Sequence, residues 1–334
     1  MSRTESLNTA RSRALDAVNN EMVKCYWHVG RIIVEEEQYG KERADYGVYL
    51  MKGLSKRLIV EFGKGYRKSN LYDMRNLYLL YPKFHALPGK LTWTHYRLLL
   101  RLENPDARSF YEQEAVNANW STRELERQIN SLLFERLALS RDKKGVKELA
   151  QKGHEIHQPS DLIKDPYVLE FTGLPQHDKY LETDLESALI EKLQDFLLEL
   201  GKGFAFMGRQ QRITLDGKHF YIDLVFYNRL THSFVLIDLK VGTLMHQDIG
   251  QMQMYVNYYE REMTTEEENP PVGIILCADK YDAVVRYTLP KNNKQIFASR
   301  YKLYLPTEEE LIAELKRERE SIEMFKRLSD SSLQ

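Results

Sequence analysis

The chain has 334 residues, 43% of them hydrophobic and 11% aromatic, and a formal net charge of -1. This length and apolar content support two folded domains with real cores and exclude an intrinsically disordered chain. Only Cys25 and Cys277 are present, in unrelated contexts, which supports neither a disulfide framework nor a zinc cluster. The first residues lack the apolar core of a signal peptide and runs such as 272–278 are too short to span a bilayer, so a cytoplasmic location is expected.

Residues 6–134 read as almost entirely helical. Leu15, Val18, Met22, Cys25, Tyr26, Val29, Ile32 and Ile33 recur at helical spacing and predict one long amphipathic helix ending near Tyr39 and Gly40. A second helix, through Leu54, Leu58 and Phe62, stops at Gly63-Lys64-Gly65. A third begins at Ser69 as its N-cap and carries Leu71, Met74 and Leu77 toward Pro82. The spacing of the last two predicts a helix-turn-helix pair. Between residues 51 and 75 seven Lys or Arg residues stand against Glu61 and Asp73, a local net charge of +5. Lys64, Arg67, Lys68, Ser69, Asn70, Tyr72 and Arg75 are therefore candidate DNA-binding residues, since clustered cations near a helix start suit phosphate contacts. A solvated helical face accounts for the same cluster equally well. Two further helices follow at 91–100 and 120–129, the second opened by a Ser121/Glu124 capping box. Both resemble phrases flanking ParB-type helix-turn-helix regions.

From residue 135 to about 178 the pattern loosens into linker composition, with Pro159 and Pro166. The expected division is a helical domain over 1–150, carrying the DNA contacts, and a second domain over 151–334. The second opens with a helix from Thr183 to Leu200, on which Glu186 lies in line with Ile190 and Leu193. Strand pieces at 204–208 and 211–215 lead to Asp216-Gly217, a strong hairpin turn. A helix over 247–259, strands over 272–277 and 295–304, and a charged helix over 307–328 complete the order. This is an α/β domain with a mixed sheet, behind an all-α domain.

Residues 220–240 organise that second domain. Two apolar runs flank Asn228-Arg229-Leu230-Thr231-His232 and predict adjacent antiparallel strands. Because side chains alternate along a strand, Asp238 and Lys240 share one face while Leu239 points to the other. If Asp223 on the neighbouring strand faces the same way, two carboxylates and a lysine converge in an arrangement suited to a hard divalent cation. The plainer alternative is an ion pair on a solvated sheet edge. The apolar neighbours of both aspartates weigh against it, since unpaired charges on interior strands are costly.

The ordered set of a helical Glu186, a hairpin Asp223, the Asp238-Leu239-Lys240 tripeptide and a helix with Gln251 and Tyr255 resembles the PD-(D/E)XK, restriction-endonuclease-like fold. More closely, GKGFAFMGRQQRI, FYIDLVFYN, LIDLKVG and GQMQMYVNYY, with EFGKGYRKSNLYDMRNLY and WSTRELERQINSLLFERL, resemble the YhcG family of bacterial proteins over nearly the whole chain. Ile222, rather than Pro, precedes Asp223, and position 238 is Asp rather than Glu. The resemblance implies a DNA endonuclease using Mg2+ or Mn2+, with ligands from Asp223, Asp238 and the Leu239 carbonyl. It implies that Lys240 orients or deprotonates the attacking water, and that Glu186, Gln251 and Tyr255 complete the catalytic set, Glu191 being the alternative to Glu186. Branched or recombination-type DNA falls within the expected substrates. A DNA-binding scaffold that no longer cuts and an RNA-directed nuclease are the competing readings. A two-fold dimer is expected, because one site per chain cuts one strand. Leu311, Leu315, Ile322 and Phe325 form the candidate stripe for it, or else pack onto their own sheet.

Overall fold

The computed structural model describes residues 3–39, 46–83, 87–138, 143–174, 180–290, 292–305, 307, 309–310 and 312–313. The chain divides into two compact units. One is Met1–Ile129 with Asp142–Gly153, and the other is Asn130–Arg141 with His154–Gln334.

The first unit is helical. Its opening helix, α1 (Arg3–Tyr39), buries Val23, Trp27, Gly30 and Val34, positions one turn apart that form a single stripe. The expected apolar face holds in part: Ile33 is buried, and Tyr26 and Val29 pack with it against Leu71 and Met74, while Leu15, Val18, Met22 and Ile32 are exposed. Periodicity found the helix but not where along it the partner begins. The partner is α3 (Lys68–Leu80), which presents Leu71, Met74 and Leu77. A Cβ on Gly30 would lie 2.0 Å from the Met74 carbonyl oxygen, so only glycine allows this approach of the two backbones. Between α2 (Tyr46–Phe62) and α3 runs a single 3-10 turn, Lys64–Tyr66. The N-cap of α3 is Arg67, with no side-chain cap, and not Ser69.

Short helices complete the unit: α4 (Trp93–Leu99), α5 (Pro105–Asn117) and α6 (Thr122–Asn130). Thr92 caps α4 through the His95 ring, whose other nitrogen lies 3.0 Å from the Trp120 carbonyl oxygen. The phrase around His95 is thereby a packing element. Ser121 and Glu124 form the expected reciprocal cap. The expected linker is corrected: it contains α7 (Leu133–Ala138) and α8 (Lys143–Lys152). Leu149 and Ala150 of α8 are buried, and the Ala150 carbonyl accepts a hydrogen bond from Ser109 on α5. In the second unit Arg136 on α7 is fully buried, paired with Glu199 at 2.7 Å and bonded to the Ser131 and Pro166 carbonyls. Charged residues on short helices look like linker to a composition argument, and burial in a long-range pair is invisible to it.

The second unit is a six-stranded mixed sheet flanked by helices, in the order β1-β6-β5-β4-β3-β2. The strands are β1 (Tyr167–Val168), β2 (Phe204–Leu215), β3 (Lys218–Asn228), β4 (Ser233–Thr243), β5 (Val272–Asp279) and β6 (Ile296–Lys302). β2, β3 and β4 form an antiparallel meander, and the remaining pairs are parallel. β2 is one strand with a bulge near Met207, where two pieces were expected. Asp216 and Gly217 both have positive φ, 48° and 76°, the requirement of the predicted tight turn. On one face α9 (Glu182–Glu191) and α10 (Leu193–Leu200) pack over Leu224, Phe226, Val235, Ile237 and Leu239. Where one helix starting at Thr183 was expected, two lie end to end, the first capped by Asp184 at the Leu181 N–H. On the other face α11 (His246–Tyr258) brings Ile249, Met252, Tyr255 and Val256 against Ile222, Val225, Leu236 and Ile275. A further helix, α12 (Asp282–Thr288), follows β5. Thr307 and Glu310 cap each other, and the Leu311, Leu315, Ile322 and Phe325 stripe lies outside the described residues.

Candidate active site

The site sits where β3 and β4 part. β3 pairs with β2 along residues 218–228 but with β4 only along 224–228, so the strands separate at Asp223. The freed N–H of Leu239 donates to Asp223 Oδ2 at 2.7 Å, which locks the carboxylate into the fork. Leu239 itself points into the α9/α10 core. Its neighbours Asp238 and Lys240 therefore project from the opposite face, as strand alternation requires.

Asp238 is 1% exposed. Lys240 Nζ lies 2.9 Å from its Oδ2 as a charge contact, yet that oxygen has no aligned hydrogen-bond donor. Burial pushes the Asp238 carboxyl up to about 7, Lys240 opposing the shift and Asp223 adding to it. For Lys240, burial acts to lower the ammonium's pKa, but Asp238, Glu182 and Asp223 together outweigh it and the pKa is raised. Glu182, at the start of α9, stands 3.8 Å from Lys240 on its other side. A buried carboxylate whose oxygen lacks a donor, next to a second carboxylate, is short of positive charge, and a divalent cation fits that deficit. Leu239 lies between Asp238 and Lys240 on β4, so its carbonyl belongs to the same stretch of strand as the buried acid. Among the described residues no group of three or more His, Cys, Asp or Glu side chains is arranged to hold a metal ion. The available set is two carboxylates and a backbone oxygen, which suits Mg2+ because that ion keeps several waters.

Glu186 reaches the same place from α9. It is 6% exposed, and its Oε2 accepts from Gln210 Nε2 at 2.5 Å, while the same amide lies 3.0 Å from Asp223 Oδ1. Burial raises the Glu186 pKa, the Gln210 hydrogen bond opposing it. Glu191, the alternative, is exposed. From α11 the Tyr255 hydroxyl donates to the Tyr221 carbonyl at 2.8 Å, and Gln251 hydrogen-bonds the same hydroxyl. Gln251 and Tyr255 thus pin the start of β3 rather than meeting a carboxylate directly.

Two residues escaped the sequence reading. Gln210 holds a left-handed backbone, φ 48°, uncommon for a residue with a β-carbon and found where surroundings enforce it. No motif marks it. Glu182, one helical turn before Glu186, could have been found by extending the helix pattern one residue back.

In the first unit, Lys64, Arg67, Lys68 and Ser69 are exposed, and Lys68 lies 5.7 Å from the centre of the Tyr72 ring. Asn70 is used internally, donating to the Gly65 carbonyl at 2.9 Å and fixing the turn. Arg75 is paired with Glu37 of α1 at 2.6 Å, which stiffens the α1–α3 contact and withdraws this cation from the exposed cluster.

Comparison with known proteins falls on both units. Residues 160–316 match the YhcG PDDEXK nuclease domain, and residues 3–136 match the DUF1016 N-terminal domain. The Escherichia coli (strain K12) protein named "Putative nuclease YhcG" is 39% identical over 343 aligned positions, covering 93% of this chain and 91% of its own length. A repair endonuclease from Pyrococcus abyssi is 13% identical over 38% of this chain and 49% of its own, with a TM-score of 0.26. EndoMS in its apo form is 15% identical over 37% of this chain and 47% of its own, with a TM-score of 0.27. With identity of this order spanning both units, the chain belongs to the YhcG family, whose C-terminal domain is a PDDEXK nuclease.

Proposed function

We propose that this protein is a Mg2+- or Mn2+-dependent DNA endonuclease whose reactive centre is Asp223, Asp238, the Leu239 carbonyl and Lys240, with Glu186 beside it. The observation that carries the reading is the Asp238 oxygen, buried without an aligned donor and next to a second carboxylate and a lysine. A divalent ion held by Asp223, Asp238 and the Leu239 carbonyl would supply Lewis-acid polarisation of the phosphate and a more acidic water. Lys240, held beside Asp238, would offset the negative charge that develops on the phosphate and orient the attacking water. Glu186 and Asp223 keep fixed positions through the Gln210 amide, which limits their reorganisation during the reaction. Exposed Lys64, Arg67 and Lys68 in the first unit supply phosphate contacts that add affinity without reading sequence. The α2–α3 pair acts as a helix-turn-helix, the substrates include branched or recombination-type DNA, and two copies assemble to cut both strands.

The test is cleavage of linear, single-stranded and branched DNAs, with a matching RNA, in the presence and absence of Mg2+. Asp238→Ala and Lys240→Ala each lower the rate by orders of magnitude while the far-UV circular dichroism spectrum is kept. Cleavage that persists in excess EDTA, or in either variant, rejects the assignment.

A further inference from the structure

Beyond its pairing with β4, the β2–β3 hairpin continues as a free two-stranded ribbon. Six residues of β3, 218–223, extend past the last β3–β4 pair, roughly 20 Å at the rise of a strand. The ribbon is held as a stiff arm on one side only. Ile213, Phe220 and Ile222 join the core under α11, and the Tyr255 hydroxyl grips the Tyr221 carbonyl. Pairing of Arg212 with Tyr221 and of Thr214 with His219 sets these four on the opposite side, where all are exposed, Tyr221 at 46%. Over residues 209–222 the charged groups are Arg209, Arg212 and Lys218 against Asp216, and each of the three cations is exposed. The root of this face is Asp223 itself.

We propose that the β2–β3 ribbon is a nucleic-acid arm of the nuclease unit, which lies along duplex DNA and contacts phosphates beside the scissile bond through Arg212 and Lys218. This rests on the DNA-cleaving reading and adds to it a second binding surface, separate in the chain from the α2–α3 cluster. A two-stranded ribbon fits the major groove, about 12 Å wide. Arg212 lies on the open side beside Tyr221, and Lys218 lies at the tip, where alternation sets it on the Phe220 side. The ribbon thus carries exposed cations against one acid, which complements a polyanion rather than an apolar partner. Its continuity with Asp223 means that DNA seated on the ribbon leads its backbone into the fork.

The experiment uses the full chain in EDTA, so that binding is read without cutting. Affinity for a linear duplex is followed by fluorescence anisotropy over a range of salt for the parent, Arg212→Gln/Lys218→Gln and Arg212→Glu/Lys218→Glu. Loss of two phosphate contacts lowers the slope of log affinity against log salt by about 1.8 in the Gln pair. The Glu pair binds more weakly still, with unchanged circular dichroism. In the presence of Mg2+ the Gln pair raises KM and leaves kcat within a factor of two of the parent. A parent slope retained in the Gln pair overturns the proposal, even if the Glu pair is weakened, because repulsion alone then explains the loss. A parent that binds and cuts DNA while both variants match it overturns the ribbon alone; a parent that binds no duplex overturns the DNA reading as well.

Discussion

Asp238→Asn is expected to abolish cleavage and yet to stabilise the metal-free protein at alkaline pH. The folded-state pKa of Asp238, about 7, lies above its ordinary value of 3.8. The fold therefore binds the proton more tightly than the unfolded chain, and stability is lost as pH rises from about 3.8 to about 7 and then levels off. At about 1.4 kcal/mol per unit, this penalty is on the order of 4 kcal/mol at pH 8 and about 2 kcal/mol at pH 5. Asparagine removes the penalty at both pH values. The Lys240 attraction is already contained in that pKa, and at pH 5 the parent carboxyl is itself mostly neutral, so no separate ion-pair cost is added. The variant should thus be more stable than the parent by about 4 kcal/mol at pH 8 and by about 2 kcal/mol at pH 5. The change between the two is about 2–3 kcal/mol. Urea unfolding in EDTA followed by far-UV circular dichroism measures it. Tryptophan fluorescence does not, because Trp27, Trp93 and Trp120 all lie in the first unit. A stability difference that is flat between pH 5 and pH 8 would refute the claim that burial holds this carboxyl up.

Other positions give independent checks. Gln210→Gly removes both hydrogen bonds to Glu186 and Asp223 but relieves a left-handed backbone. It should therefore raise stability by about 1 kcal/mol while lowering kcat at least tenfold, and a variant with parental kcat would show that the amide is dispensable. Arg136→Met leaves Glu199 charged in a fully buried place and should destabilise the second unit by about 3–5 kcal/mol, measured by urea unfolding. Arg136→Met/Glu199→Leu should recover much of that loss, and a double variant no better than the single one would count against the uncompensated charge as its cause. Gly30→Ala places a methyl against the Met74 carbonyl and should cost about 1–3 kcal/mol, visible as an earlier tryptophan-fluorescence transition. An unchanged midpoint would mean that α1 and α3 can separate without loss.

Much was legible in the sequence because it depends on local periodicity. Alternation within the chain from Phe220 to Lys240 fixed which side chains share a face, so Asp238 and Lys240 stand together opposite Leu239. The Asp216-Gly217 turn, the β3–β4 antiparallel pair and the Ser121/Glu124 cap rest on neighbours a few residues apart, and each formed as expected. The order of motifs, read as a family resemblance, carried the fold of the second unit and brought Glu186 to notice before any contact was known.

What tertiary structure alone decided were matters of partner and place. Which part of the α1 face is buried was decided by α3, which covers Tyr26, Val29 and Ile33 and approaches closest at Gly30, while Leu15, Val18 and Met22 stay exposed. Gln210 is an ordinary strand glutamine in the sequence; it becomes a bridge between two acids because a bulge and a left-handed residue turn its amide toward α9. Arg136 has linker neighbours in sequence and a fully buried partner 63 residues away. The depth of burial that lifts Asp238 is set by both sheet faces together, since desolvation is a property of all the surrounding atoms and no single stretch of chain encodes it.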